Sequence, residues 1–176
     1  MALKKKKPTK KSGKKLIVLE TNKGSVKIEL LSSLAPKHCE RILKLCKDKF
    51  YDEVVFHRVI DGFMAQTGDG QYGSLKNGYQ VDRAGMGGSE LPDLEAEFTS
   101  EPFARGIVGM ARSQNPNSAN SQFFIMLEDS PHLNNQYTVW GKVTKGMEVV
   151  DKIKKGDQLD NGKVDEPDFI KTIKNV

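Results

Sequence analysis

Phe56-His57-Arg58-Val59-Ile60-Asp61-Gly62-Phe63-Met64-Ala65-Gln66 is the stretch on which the fold turns. It sets an arginine in an otherwise apolar strand pattern, follows it with a tight Asp-Gly turn, and leaves the turn on a Phe-Met pair and a glutamine. A second stretch, Asn120-Ser121-Gln122-Phe123-Phe124-Ile125, puts another glutamine beside two aromatics. In a strand, Gln122 and Phe124 share one face and Phe123 takes the other. Each stretch thus offers one aromatic and one amide to a shared surface. Taken singly, these residues read as core aromatics and an edge arginine; only their combination points to a site.

Outward from these stretches the pattern is mostly β. Leu16–Thr21 and Ser25–Leu30 flank Asn22-Lys23-Gly24 and predict a hairpin, with Val26, Ile28 and Leu30 on one face of its second arm. Val54–Ile60, Gly106–Ala111, Gln122–Leu127, Tyr137–Val143 and Phe169–Val176 predict further strands. Ser33–Lys49 predicts a helix capped by Ser32 or Ser33, with Pro36 in its first turn, where the missing N–H costs nothing. Cys39, Ile42, Leu43 and Cys46 form its buried stripe. Met147–Lys155 predicts a short second helix with Met147, Val150 and Ile153 inward, closed by Gly156. Residues 68–100 are a long glycine-bearing connection. Many short strands and only two helices imply a closed antiparallel barrel or sandwich, because two helices cannot cover a parallel sheet.

The chain has 176 residues, 37% hydrophobic and 29% charged, which suits one globular domain. No apolar run approaches the roughly 18 residues of a membrane helix. The net charge of +5 is misleading as a property of the whole chain. Lysines 4, 5, 6, 7, 10, 11, 14 and 15 all lie in residues 1–15, and removing these eight charges leaves −3 for residues 16–176. Residues 1–15 are therefore expected to be a disordered tail that aids solubility and at most makes weak non-specific polyanion contacts. The apolar run after it, Leu16–Leu19, is only four residues, short of the about 7–15 of an export signal. Cys39 and Cys46 would sit roughly 10 Å apart on a helix, beyond the about 7 Å reach of a disulfide. Free thiols imply a reducing compartment, so a cytoplasmic location is expected.

Several chemistries find no support. Gly68-Asp-Gly-Gln-Tyr-Gly73 matches a dinucleotide fingerprint, but Ser74-Leu-Lys-Asn-Gly continues it as loop rather than helix. His38, His57 and His132 have no ligand spacing with acids or cysteines, so no metal is expected. No strand–elbow–helix of the G-x-S-x-G type occurs, and no pair of carboxylates is singled out.

Phe56-His-Arg-Val-Ile, Gly62-Phe-Met-x-Gln, Gly109-Met-Ala, Asn120-Ser-Gln-Phe-Phe-Ile and Gly141-Lys-Val, in this order and spacing, resemble the cyclophilin family of peptidyl-prolyl isomerases. The resemblance covers nearly all of residues 16–176. It implies a closed eight-stranded antiparallel β-barrel capped by two α-helices, and a cofactor-independent isomerase acting on proline-containing peptides and flexible protein segments; no strong apolar surface pattern demands a dimer, so a monomer is expected. The rival implication is a proline-binding module whose isomerase activity is incidental. By motif, Arg58 is the catalytic cation, and Phe63, Met64, Phe124 and Leu133 wall a proline pocket. Gln66 and Gln122 position substrate amides, and Ala111, Arg112 and Ser113 line the strand along which a peptide lies. Three substrate-binding positions depart from the family pattern. Tyr137 stands where many members have histidine, His132 where drug-sensitive members have tryptophan, and Arg112 where asparagine is usual. Weak cyclosporin binding and a shift toward acidic peptides are the corresponding expectations. The loop 71–94 is longer than in compact members, by about ten residues, and either extends the groove or is a tolerated surface insertion.

Overall fold

The computed structural model describes residues 14–176, so the expected tail falls almost wholly outside the described residues. Its strands are β1 (Leu16–Thr21), β2 (Gly24–Leu30), β3 (Arg58–Ile60), β4 (Met64–Thr67), β5 (Ile107–Met110), β6 (Phe123–Met126), β7 (Val139–Lys145) and β8 (Ile170–Asn175). The helices are α1 (Pro36–Lys47) and α2 (Met147–Asp151), with single 3-10 turns at Pro131–Leu133 and Gln158–Asp160. The eight strands form one sheet in the order β3-β4-β6-β5-β7-β2-β1-β8, and every pairing is antiparallel.

Alternation along the strands sorts side chains into two apolar clusters on opposite faces of the sheet. Val26, Ile28, Ala65, Val108, Phe123, Ile125 and Trp140 join the main core with the buried face of α1. Their neighbours Met64, Ile107, Phe124, Met126 and Val139 turn to the other face and pack with Phe103 and Leu133. The second, smaller cluster is the floor of the site.

The closed barrel expected from the sequence is not formed; the sheet is an open half-barrel with β3 and β8 as its edges. The physical reason lies at β3, which is only three residues long. Its outward backbone groups are taken by the loop 156–164 rather than by β8. Val59 N donates to the Gly162 carbonyl, Gly156 N to the Val59 carbonyl and Val164 N to the His57 carbonyl. Gly162 has φ +79°, and a Cβ there would collide with Ile60, so the loop sits this close only because the residue is glycine. Between the edges there remains a single isolated bridge, Val55 to Phe169. The predicted strand Val54–Ile60 is shortened for a related reason: Val54 bridges Ser74 while Val55 bridges Phe169, so this segment pairs with two different partners.

The two helices differ from expectation at their ends. α1 begins at Pro36 after Ala35, and neither Ser32 nor Ser33 caps it. Glu97, far along the chain, takes that role: His38 N donates to Oε1 at 2.8 Å and Lys37 N to Oε2 at 3.3 Å. A carboxylate at this end satisfies orphan amides and complements the helix dipole. α2 stops at Asp151 rather than Lys155, because Lys154 N turns out of the helix to donate to Asp168 Oδ2. Cys39 and Cys46 are buried and unpaired, and burial pushes their thiols up to about 11 and about 12 respectively. Among the described residues no helix is long and apolar enough to cross a membrane.

Candidate active site

The turn at Asp61-Gly62 folds β4 back on β3, so Arg58 and Gln66 stand directly opposite each other. β4 pairs in turn with β6, which places Gln66 opposite Phe124. Three strands thereby bring the two sequence stretches into one polar array. Arg58 Nη1 donates to Gln66 Oε1 at 3.1 Å, and Gln66 Nε2 donates to Gln122 Oε1 at 3.0 Å. Gln122 Nε2 donates to the carbonyls of Gly85 and Gly87, at 2.8 Å each. On its other side Arg58 is held by Asn161, Nε donating to the backbone carbonyl and Nη2 to Oδ1. A guanidinium has five N–H donors, so these three bonds leave one free hydrogen on each terminal nitrogen. Burial lowers the Arg58 pKa from its ordinary value, with the nearby Tyr137 phenol opposing that shift; an arginine remains a cation under such a shift.

A cavity of about 590 Å³ opens over this array. Arg58, Phe63, Met64, Gln66, Ala111, Arg112, Phe124, Leu133 and Tyr137, all anticipated from the sequence, line it. Ser113 and Gln122 line an adjoining cavity of about 390 Å³, which shares Gln66, Ala111 and Arg112 with the first. His132 lines neither; it is exposed and its ring rests against Phe63 at 5.7 Å between centroids.

Aromatic packing stiffens the floor. Phe124 lies between Phe103, stacked at 5.8 Å, and Tyr137, edge-on at 5.6 Å. Phe103 escapes sequence reading because nothing local marks it. A Cβ at Gly109 would meet both Phe103 and Phe124 at 2.7 Å, so this glycine admits the stack. Arg112 lies over the Tyr137 ring at 4.5 Å and donates to the carbonyls of Gln136 and Ser113. Its fork is thus engaged in holding Tyr137.

Two further residues become visible only in the fold. Asn161, at φ +53°, uses the left-handed conformation that asparagine tolerates better than most residues. Asp160-Asn161-Gly162 looks like a turn, and only the fold brings it to Arg58. His57 is buried beside the cavity, and neither ring nitrogen has a hydrogen-bond partner among the described residues. Burial drives its pKa down to about 4, Asp69 opposing and Arg58 assisting, so it is neutral at neutral pH and adds no second charge beside Arg58. The long loop after β4 also reaches the site, bringing Tyr79, Val81, Asp82, Gly85 and Met86 to the cavity wall. The Gly68–Gly73 fingerprint opens no helix. No group of three or more potential metal ligands converges among the described residues.

Residues 16–175 match the family described as "Cyclophilin type peptidyl-prolyl cis-trans isomerase/CLD". The chain is 59% identical over 154 residues to a probable peptidyl-prolyl cis-trans isomerase of Brucella suis, covering 88% of this chain and 79% of the relative. It is 42% identical over 139 residues to peptidyl-prolyl cis-trans isomerase-like 3 of Gallus gallus, covering 79% of this chain and 81% of that one. Among solved structures, a cyclophilin-type isomerase of Cryptosporidium parvum, determined in the presence of the dipeptide Ala-Pro, superposes with a TM-score of 0.78. That match has 30% identity and covers 92% of this chain and 98% of that one. With family match, relatives and fold in agreement across the same span that builds the Arg58 array, the chain belongs to the cyclophilin-type peptidyl-prolyl cis-trans isomerases.

Proposed function

We propose that the cavity seats the proline of an X-Pro segment against Phe63, Met64, Phe124 and Leu133, and that Arg58 stabilises the twisted peptide bond. Amide resonance sets a rotation barrier of about 18–20 kcal/mol. On twisting, the prolyl nitrogen leaves conjugation and becomes a better acceptor. A fixed cation aimed at it binds the transition state better than the ground state, which is what accelerates rotation. No bond to another molecule forms, so side chains alone suffice for this mechanism. A charged hydrogen bond of ~3 kcal/mol corresponds to about a hundredfold in rate; pocket fit and orientation supply the rest.

The observation that carries this reading is the three-point hold on Arg58, from Gln66 Oε1, Asn161 O and Asn161 Oδ1. It fixes the fork while leaving a hydrogen on each terminal nitrogen for the peptide. Gln66 Nε2 keeps one hydrogen for a substrate carbonyl. Gln122 Nε2 has both hydrogens on the Gly85 and Gly87 carbonyls, so Gln122 acts by holding Gln66. The peptide extends past Ala111, Arg112 and Ser113, whose backbone reads shape rather than sequence. The Ala-Pro dipeptide present with the Cryptosporidium relative supports the same class of ligand here. His132 and Tyr137 form the rim, Tyr137 as a wall and His132 as a backing for Phe63.

Residues 16–176 then act as one isomerase domain on flexible protein segments, assisting folding, with residues 1–15 as a solubilising tail capable of weak polyanion contact. The unpaired thiols of Cys39 and Cys46 favour a cytoplasmic setting, and a monomer satisfies the mechanism.

Steady-state isomerisation of an X-Pro peptide separates these roles. Arg58→Ala is expected to lower kcat with KM nearly unchanged, and Phe124→Ala to raise KM. Equal effects of both substitutions on KM alone would make Arg58 a substrate-binding residue rather than the catalytic cation.

A further inference from the structure

Asp69 is fully buried, and among the described residues no cation pairs with it at ion-pair distance. Its carboxylate is instead surrounded by backbone N–H groups. Oδ1 accepts from Gln71 N at 3.0 Å and Tyr72 N at 2.9 Å. Oδ2 accepts from Gly85 N at 2.8 Å and Gly87 N at 3.0 Å. One side chain thus ties the start of the long loop to its 85–87 segment. The same two glycines present their carbonyls to Gln122 Nε2. Gly85 holds φ +103°, and a Cβ at Gly87 would collide with Asp69, so both positions require glycine for this double engagement.

We propose that Asp69 is a positioning residue for Arg58, acting through the 85–87 backbone, Gln122 and Gln66. The links run Asp69 to Gly85 and Gly87, to Gln122, to Gln66, to Arg58, each an observed hydrogen bond. The coupling is positional: the N–H groups that Asp69 holds and the carbonyls that Gln122 holds belong to successive peptide units of 84–88, so fixing the first fixes where the second point. The Gly-Asp-Gly stretch that mimics a nucleotide fingerprint is thereby given a role: it anchors the loop that fixes the glutamines. This proposal rests on Arg58 as the catalytic cation.

Asp69→Asn tests it, since an amide must turn its NH₂ toward one pair of N–H donors whichever way it faces. The expected result is a fall in kcat of roughly 10-fold or more with little change in KM, because misplacing a distant support costs rate out of proportion to its distance. In a Gln122→Ala background the same substitution is expected to cost under about twofold, since the relay is already cut. Fully additive losses, or an unchanged kcat for Asp69→Asn while Arg58→Ala is impaired, overturn the relay alone. Should Asp69→Asn not fold, Gln122→Glu breaks the same junction by placing an acceptor against the Gly85 and Gly87 carbonyls. It is expected to show the same kcat loss, and full activity overturns the relay. An inactive wild type or a fully active Arg58→Ala overturns the catalytic assignment beneath it.

Discussion

Asn161 grips Arg58 twice, accepting from Nε at its backbone carbonyl and from Nη2 at its side-chain Oδ1, both at 3.0 Å. The backbone half of this grip survives any substitution that tolerates φ +53°, while the side-chain half does not. Asn161→Gly separates the two. It is expected to lower kcat by roughly three- to tenfold, the worth of one charged hydrogen bond partly replaced by water. Thermal stability should hardly move. A drop in Tm with unchanged kcat would assign Asn161 to stability instead.

His57 makes stability depend on pH. Its folded pKa is about 4, below the ordinary histidine value. The unfolded chain therefore binds more protons between about pH 4 and 6.5, and stability rises with pH across that window, then levels off. The full span corresponds to roughly 3 kcal/mol. His38, also lowered by burial with Glu97 opposing, adds to the same slope. His57→Phe removes a buried ring whose nitrogens lack partners, so it should flatten the slope without loss of stability at pH 7. Urea midpoints measured from pH 4 to 8 check this, and an unchanged slope would count against it.

Glu97 caps a helix about sixty residues upstream and also contacts His38 Nδ1 at 2.6 Å. Glu97→Ala should destabilise by roughly 1–2 kcal/mol, the cost of a lost cap and an orphaned amide. Isomerase kcat should remain near wild type, because α1 packs on the opposite face of the sheet from the cavity. Paired chemical denaturation and activity assays decide it; equal stability would remove Glu97 from the cap.

His132 lines no part of the cavity and rests exposed on Phe63, so this position offers a ligand little apolar area and no indole N–H. Cyclosporin should therefore bind weakly, and His132→Trp should tighten it by adding an indole N–H and a larger apolar face. Calorimetry on the two proteins is the check. Submicromolar binding by the wild type would show that the rim residue does not set affinity.

The hairpin β1–β2 and the buried stripe of α1 were legible because each is written in local periodicity, and β5 and β6 were legible as short apolar runs. Val26, Ile28 and Leu30 alternate, and Cys39, Ile42 and Cys46 recur by helical turns. β4 escaped the strand reading because Gln66 and Thr67 take half of its four residues, whereas the equally short β5 and β6 carry no polar side chain. The open edge was illegible because the loop 156–164, not a strand, takes the outer groups of β3. At the site, Arg58, the glutamines and the aromatics were found through their motifs. Asn161, Asp69 and Phe103 were not, since each acts through a partner distant in the chain. Arg112 illustrates the remaining gap: its charge was readable, but its engagement with Tyr137 and Gln136 was not.

The most direct test of Arg58 as the catalytic cation is exchange NMR on one X-Pro peptide bound to wild type and to Arg58→Ala. The prediction is a fall of about a hundredfold in the bound cis–trans exchange rate, matching ~3 kcal/mol of lost transition-state stabilisation, with peptide Kd changed by less than about threefold. An unchanged exchange rate, or a loss of rate matched by an equal loss of affinity, would contradict it.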